Sequence, residues 1–248
     1  MLTDLSFLDM GKKWPPPSEA ERLERYANNR LLFEGDHQDV FKEWIRLLRD
    51  DQKATLILIL NWHKRLSTLW ADLLLSEAPR ITAGKESSPE EAEVEKIVEE
   101  NSLVSMSHEI AIDVSRFGDG LYHIYNDGGK GVIAPTQPEI WYPVVDQDNV
   151  KKVKYHVLGW TFEVMVGKEK EKRLKIQIHE KGHYTVRTYQ IVDGYINKEL
   201  DAPIVITTGL SDFAIVPVHN TITSDRTFGL DDYRDIDSII QELEIRVG

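Results

Sequence analysis

The 248-residue sequence contains no cysteine. Disulfides, thiolate metal sites and cysteine nucleophiles are therefore excluded outright. It also has no apolar run near the roughly 18 residues that a membrane-spanning helix needs; the longest compact one is Leu56–Leu60. A secretory signal is not expected, because MLTDLSFLDMGKKW sets acids before its bases and lacks a long apolar stretch. Basic residues are in short supply, 30 against 42 acidic ones, for a formal net charge of −12. Phosphate contacts need Lys and Arg, so such a chain is a poor general binder of DNA or anionic membrane. What is present is ordinary for a globular protein, with 41% apolar and 29% charged residues. The length suits one large domain or two small ones with a real core.

Residues 1–17 read as an extended N-terminal arm, with Trp14 leading into three prolines that favour polyproline II geometry. Ser18-x-x-Glu21 has the form of a capping box for a helix running to about Glu34, which Gly35 can stop in the left-handed region. A second helix is expected to hold Val40, Phe41, Trp44, Ile45 and Leu48. LILIL at 56–60 reads equally as a buried strand or a helical turn. Beyond it Trp62, Leu66, Leu69 and Leu73 recur at helical spacing, and Pro79 closes that segment. Ser88-Pro89-Glu90-Glu91 predicts a capped helix start. A further helix carries Leu103, Met106, Ile110, Val114 and Phe117, with Gly118 as its stop. After Gly120 the period changes to two. LYHIY, GVIAP, IWYPVV, KVKYHVLGW, FEVMV, LKIQI, YTVRTYQIV and IVIT read as strands separated by short turns, hence as an antiparallel meander. LDDYRDIDSIIQELEIRV reads as a closing helix with Tyr233, Ile236, Ile240 and Leu243 on one side. The fold class is α+β: a helical N-terminal half, an antiparallel β meander, and a C-terminal helix.

Two stretches invite a catalytic or ligand-binding reading. His179-Glu180-Lys181-Gly182-His183 spells H-E-x-x-H, in which two histidines one helical turn apart bind zinc and the Glu activates its water. Here the flanks alternate (Leu174, Ile176, Ile178, then Tyr184, Val186), and Gly182 would cost about 1 kcal/mol inside a helix. A hairpin with a three-residue loop, Glu180-Lys181-Gly182, is expected instead. It pairs Ile178 with Tyr184 and sets His179 opposite His183 on the polar side. A metal-dependent hydrolase using His179, Glu180 and His183 remains the alternative. The glycines at 118–131 suggest a phosphate loop, and with it a nucleotide- or nucleic-acid-binding module, but the segment runs helix, strand, turn, strand and Lys130 is followed by Gly131. A helix stop at Gly118-Asp119-Gly120 and a hairpin turn at Asp127-Gly128-Gly129 are expected there. His37, His63, His108, His123, His156 and His219 show no ligand spacing. Asp231, Asp232, Asp235 and Asp237 sit at a helix start, where the dipole favours them, and read as a solvated face. No catalytic residue, metal ligand or cofactor site is assigned.

Five pieces in order carry a resemblance: ERYANNRLLFEGDHQDVF at 24–41, NWHKRLSTLWADLLLSEAPRI at 61–81, IDVSRFGDGLYHIYND at 112–127, IWYPVVD at 140–146, and VPVHNTITSDRTFGLDDYRDIDSIIQELEIR at 216–246. Together the chain resembles the N-terminal half of a tailed-bacteriophage portal protein. The resemblance implies a homo-oligomeric, dodecameric ring at the capsid vertex of the virion, assembled in the host cytoplasm and without enzymatic activity or membrane contact. Such a ring passes DNA in packaging and ejection without sequence-specific binding. Its implied partners are the terminase large subunit, capsid or scaffolding protein, and a head-completion (adaptor) protein. Residues 18–119 would be the helical part of the wing, 120–218 its β-rich part, and 219–248 a loop and the start of a stem-like helix. Arg116, Phe117, Gly118, Asp119 and Gly120 are the shared structural motif. Asp231, Asp232, Asp235, Asp237, Glu242 and Glu244 are the implied channel-proximal acids. Portal proteins run on into clip and crown elements, so this chain is expected to be a truncated one.

Overall fold

The computed structural model describes residues 1–41, 60–77 and 79–247. Helices α1 (Ala20–Glu34), α2 (His37–Val40), α3 (Trp62–Leu74), α4 (Pro89–Glu100) and α5 (Leu103–Phe117) precede the strands. These are β1 (Asp119–Asp127), β2 (Lys130–Thr136), β3 (Trp141–Val145), β4 (Val153–Val166), β5 (Glu169–Glu180), β6 (His183–Val192), β7 (Tyr195–Glu199), β8 (Ile204–Thr207) and β9 (Ile215–His219). Helix α6 (Asp237–Val247) follows. The α+β order read from the sequence is the observed one. None of the described helices is long and apolar enough to cross a membrane.

The chain divides into two compact units. The β unit comprises Met1–Leu23, Leu121–Pro217 and Ile222–Thr227. Its larger sheet runs β3-β4-β5-β6-β7, with β8 also on β6, and the smaller runs β2-β1-β9. The registered ladders are antiparallel, as the short connections require. KVKYHVLGW and FEVMV form a single strand, β4, because Gly159, Trp160 and Thr161 keep their partners on β5. Strands β7 and β9 carry no clear strand signal in the sequence, because YINKE and IVPVH are too short and too mixed to alternate. The core gathers Val144, Val157, Leu174, Ile176 and Ile196 with Leu2, Phe7, Leu8 and Trp14 of the first seventeen residues. The Trp14–Pro15 peptide is cis, and Pro17–Glu19 forms a 3-10 turn in place of the expected capping box. Glu19, buried, takes Arg22 Nε at 2.9 Å, and Arg22 also donates to the carbonyls of Pro138 and Trp141. That network, rather than Ser18, fixes the helix start.

The helical unit comprises Glu24–Gly120, Val218–Thr221 and Phe228–Gly248. Gly35 stops α1 at φ +96°, as expected. Of the second predicted helix, α2 is observed; Trp44, Ile45 and Leu48 lie outside the described residues, as does most of LILIL. Ser88 caps α4 by accepting from Glu91 N, while the Glu91 carboxylate accepts from Ser87 N at 2.6 Å. Helix α3 packs on α5, but its Trp62, Leu69 and Leu73 stripe faces outward; His63, Ser67 and Ala71 are the buried positions. Helix α6 begins at Asp237, later than the predicted start near Leu230. The residues before it are held in turns by Arg25 on Asp231 and Asn220 on Asp232.

Candidate functional site

The H-E-x-x-H letters lie at the tip of the β5–β6 hairpin. The turn is two residues, Lys181-Gly182, with Gly182 at φ +84°. The expected three-residue loop is therefore wrong by one position: Glu180 pairs with His183, His179 with Tyr184, and Ile178 with Thr185. The turn is fixed from outside the hairpin, since Thr208 N donates to Gly182 O at 2.9 Å and Gly182 N donates to Asp212 O at 3.3 Å. Side chains alternate faces along a strand, so His179 and His183 point to opposite sides of the sheet and cannot share an ion. His183 Nε2 meets Glu180 Oε2 at 2.9 Å on the surface. His179 is fully buried, stacked on Tyr184 with ring centroids 4.7 Å apart.

The histidines that look scattered in the sequence are brought together by the register. His156 lies opposite His179 on β4, and His123 meets His179 edge to face at 5.2 Å. Trp141 Nε1 donates to His156 Nδ1 at 3.0 Å. Burial pushes His123 down to about 4. Burial, aided by the neighbouring His123 and His156, pushes His179 down to about 3. Both rings are thus neutral near pH 7. The described residues contain no group of three or more His, Asp or Glu able to hold a metal ion. No sequence signal marks this cluster, because the three positions come from strands whose register the sequence does not state.

The Arg116–Gly120 motif is a structural junction in the helical unit. Gly118 ends α5 at φ +84°, and a Cβ there would lie 2.5 Å from Gly229 O. Gly118 O accepts from Asn220 N at 2.9 Å. Asp119, fully buried, accepts from Tyr26 Oη at 2.7 Å, His219 Nδ1 at 2.6 Å and Gly229 N at 2.9 Å. Phe117 packs on Tyr26, and the Arg116 guanidinium lies over the Phe117 ring at 4.2 Å while pairing with Asp113 at 2.6 Å. The glycine-rich letters therefore serve close backbone approach. The second glycine pair, Gly128-Gly129, is the β1–β2 turn, both residues at positive φ.

The acidic residues near the C-terminus fall into two sets. Asp231 takes Arg25 in a two-pronged contact of 2.7 and 3.3 Å, and the same guanidinium reaches Asp237 at 2.6 Å. Asp237 also meets His63 Nε2 at 3.0 Å. Asp232 accepts from Asn220 at 2.6 Å. Glu244 and His37, each 2% exposed, meet at 2.7 Å, and His37 Nε2 faces Leu32 O at 3.0 Å. Both ring nitrogens of His37 thus have an oxygen partner inside the helical unit. Asp235 and Glu242 are exposed. These internal pairs could not be read from the sequence, where the same residues form a plain acidic run.

Two concavities of about 360 and 340 Å³ mark the β unit, the first lined by Trp14, Tyr142 and Lys172, the second by His123, Gln137 and Gln177. Compared with known families, residues 14–177 match the one described as phage portal protein, SPP1 Gp6-like. No curated protein matches the chain.

Proposed function

The chain belongs to the phage portal protein family, and from that premise we propose that it is a structural subunit of a dodecameric ring at one capsid vertex. The ring passes DNA during packaging and ejection. It docks the terminase large subunit and head-completion (adaptor) proteins and contacts capsid or scaffolding protein while assembling in the host cytoplasm. The observation that carries this reading is the family match over residues 14–177, about two thirds of the chain. The net charge of −12 supports it, because a conduit should not grip the phosphates that slide through it.

In this reading residues 18–119 and 120–218 are the helical and β-rich parts of the wing, and 219–248 leads toward the stem. The Arg116–Gly120 junction is a structural element of that wing. Of the six acids assigned near the channel, Asp235 and Glu242 are the two we infer to meet it, because their side chains are the exposed ones of the six. Labelling intact particles with antibody against the protein tests the location. One labelled vertex per particle is expected; label spread over the shell, or found only on unassembled protein, overturns it.

A further inference from the structure

Helix α3 is built inside out. Its buried positions are His63, Ser67 and Ala71, each 0% exposed, two polar and one small. Its outward positions are Trp62, Leu69, Trp70, Leu73 and Leu74, between 44% and 69% exposed. A helix on the surface of a self-contained protein has the reverse arrangement, with its large apolar stripe toward the core.

The rotation of the helix is locked. Ser67 Oγ is hydrogen-bonded to Ser115 Oγ at 3.0 Å and to Tyr233 Oη at 2.9 Å, and His63 Nε2 meets Asp237 Oδ1 at 3.0 Å. Turning the leucines inward would break all three contacts and strand buried polar groups without partners. The apolar face therefore belongs to the stable fold and is not a misrotated one. Its exposed apolar area is roughly 500 Å², judged from the size of two indoles and three leucines. That is at the upper end of what one patch on a monomer carries. It is also over half of the ~800 Å² that each partner gives to a standard interface. Arg65 stands exposed beside its N-terminal end, a basic edge in a chain of net charge −12. A surface of that sign is complemented by a second copy of the same acidic chain.

We propose that this face of α3 is a seam at which one copy of the chain meets the next. The proposal rests on the ring reading above and names a surface for it. A ring contact is heterologous, so the face meets a different surface of the neighbouring copy and not itself.

The test uses the intact protein and its lack of cysteine. Leu73→Cys gives a single thiol whose maleimide labelling is compared in the assembled and the urea-dissociated protein. At least tenfold slower labelling in the assembly is expected. The double variant Trp70→Glu/Leu73→Glu should reduce the assembled fraction at least tenfold at micromolar concentration, with an unchanged far-UV spectrum, because these side chains are outside the folded core. Equal labelling in both states, with an assembly that survives the double variant, overturns the seam and leaves the ring standing. A thiol already protected in folded monomers also overturns it, since the chain then covers its own face. A parent protein that never assembles removes the ring reading, and the seam falls with it.

Discussion

Asp119 accepts hydrogen bonds from Tyr26, His219 and Gly229 while fully buried. Removing the carboxylate leaves donors from three separate segments unsatisfied, at roughly 1–3 kcal/mol for each buried group before relaxation and water entry. Asp119→Ala is expected to destabilise the helical unit by about 3 kcal/mol in urea unfolding; a loss well under 1 kcal/mol would contradict the junction assigned to this residue. The buried histidines of the β unit make a second residue-level prediction. His123 and His179 are held near 4 and 3, below the ordinary 6.5 of an unfolded chain. A lowered folded value means the native state resists protonation, so this contribution to stability is complete above about pH 6.5 and shrinks as pH falls toward 4. The urea midpoint of the β unit should drop between pH 7.5 and pH 5. The double variant His123→Phe/His179→Phe should flatten that dependence, and an unchanged slope would dissociate it from these rings.

At the scale of elements, the hairpin shows what a sequence does and does not say. Alternation of Leu174, Ile176 and Ile178 is enough to reject a zinc helix, because the period of two is local. The register is not local: it is set by a two-residue turn braced by Thr208 and Asp212, and one residue of slip moves every side chain to the other face. The two histidines of the motif should therefore respond differently. His183→Ala, whose ring meets Glu180 at the surface, should change stability by less than about 0.5 kcal/mol. His179→Ala, in the core, should cost about 2–3 kcal/mol. Thermal melts of both variants check this, and equal effects accompanied by lost stoichiometric zinc would restore a metal site. Helix α3 teaches a similar lesson. Its periodicity was legible, but its orientation was not, because polar partners on α5 and before α6 decide which side is inside. The cap of α4 was legible in full, since Ser88, Pro89 and Glu91 act within one turn.

For the whole molecule, the order of helices, then meander, then helix followed from periodicity and turn chemistry alone. The acidic balance also has its meaning at this scale. With 42 acids against 30 bases the surface repels polyanions in general, which suits a conduit and argues against a tight nucleic-acid binder. The internal pairing of Asp231, Asp237 and Glu244 shows that part of this charge is spent on holding α6 in place, a use that composition does not reveal. What neither periodicity nor charge specifies is how copies associate, and it is on that association that a portal role depends. Native mass spectrometry of the intact protein at micromolar concentration tests it most directly. A single closed oligomer of twelve copies is the predicted result, and a protein that stays monomeric across the concentration range would contradict the account.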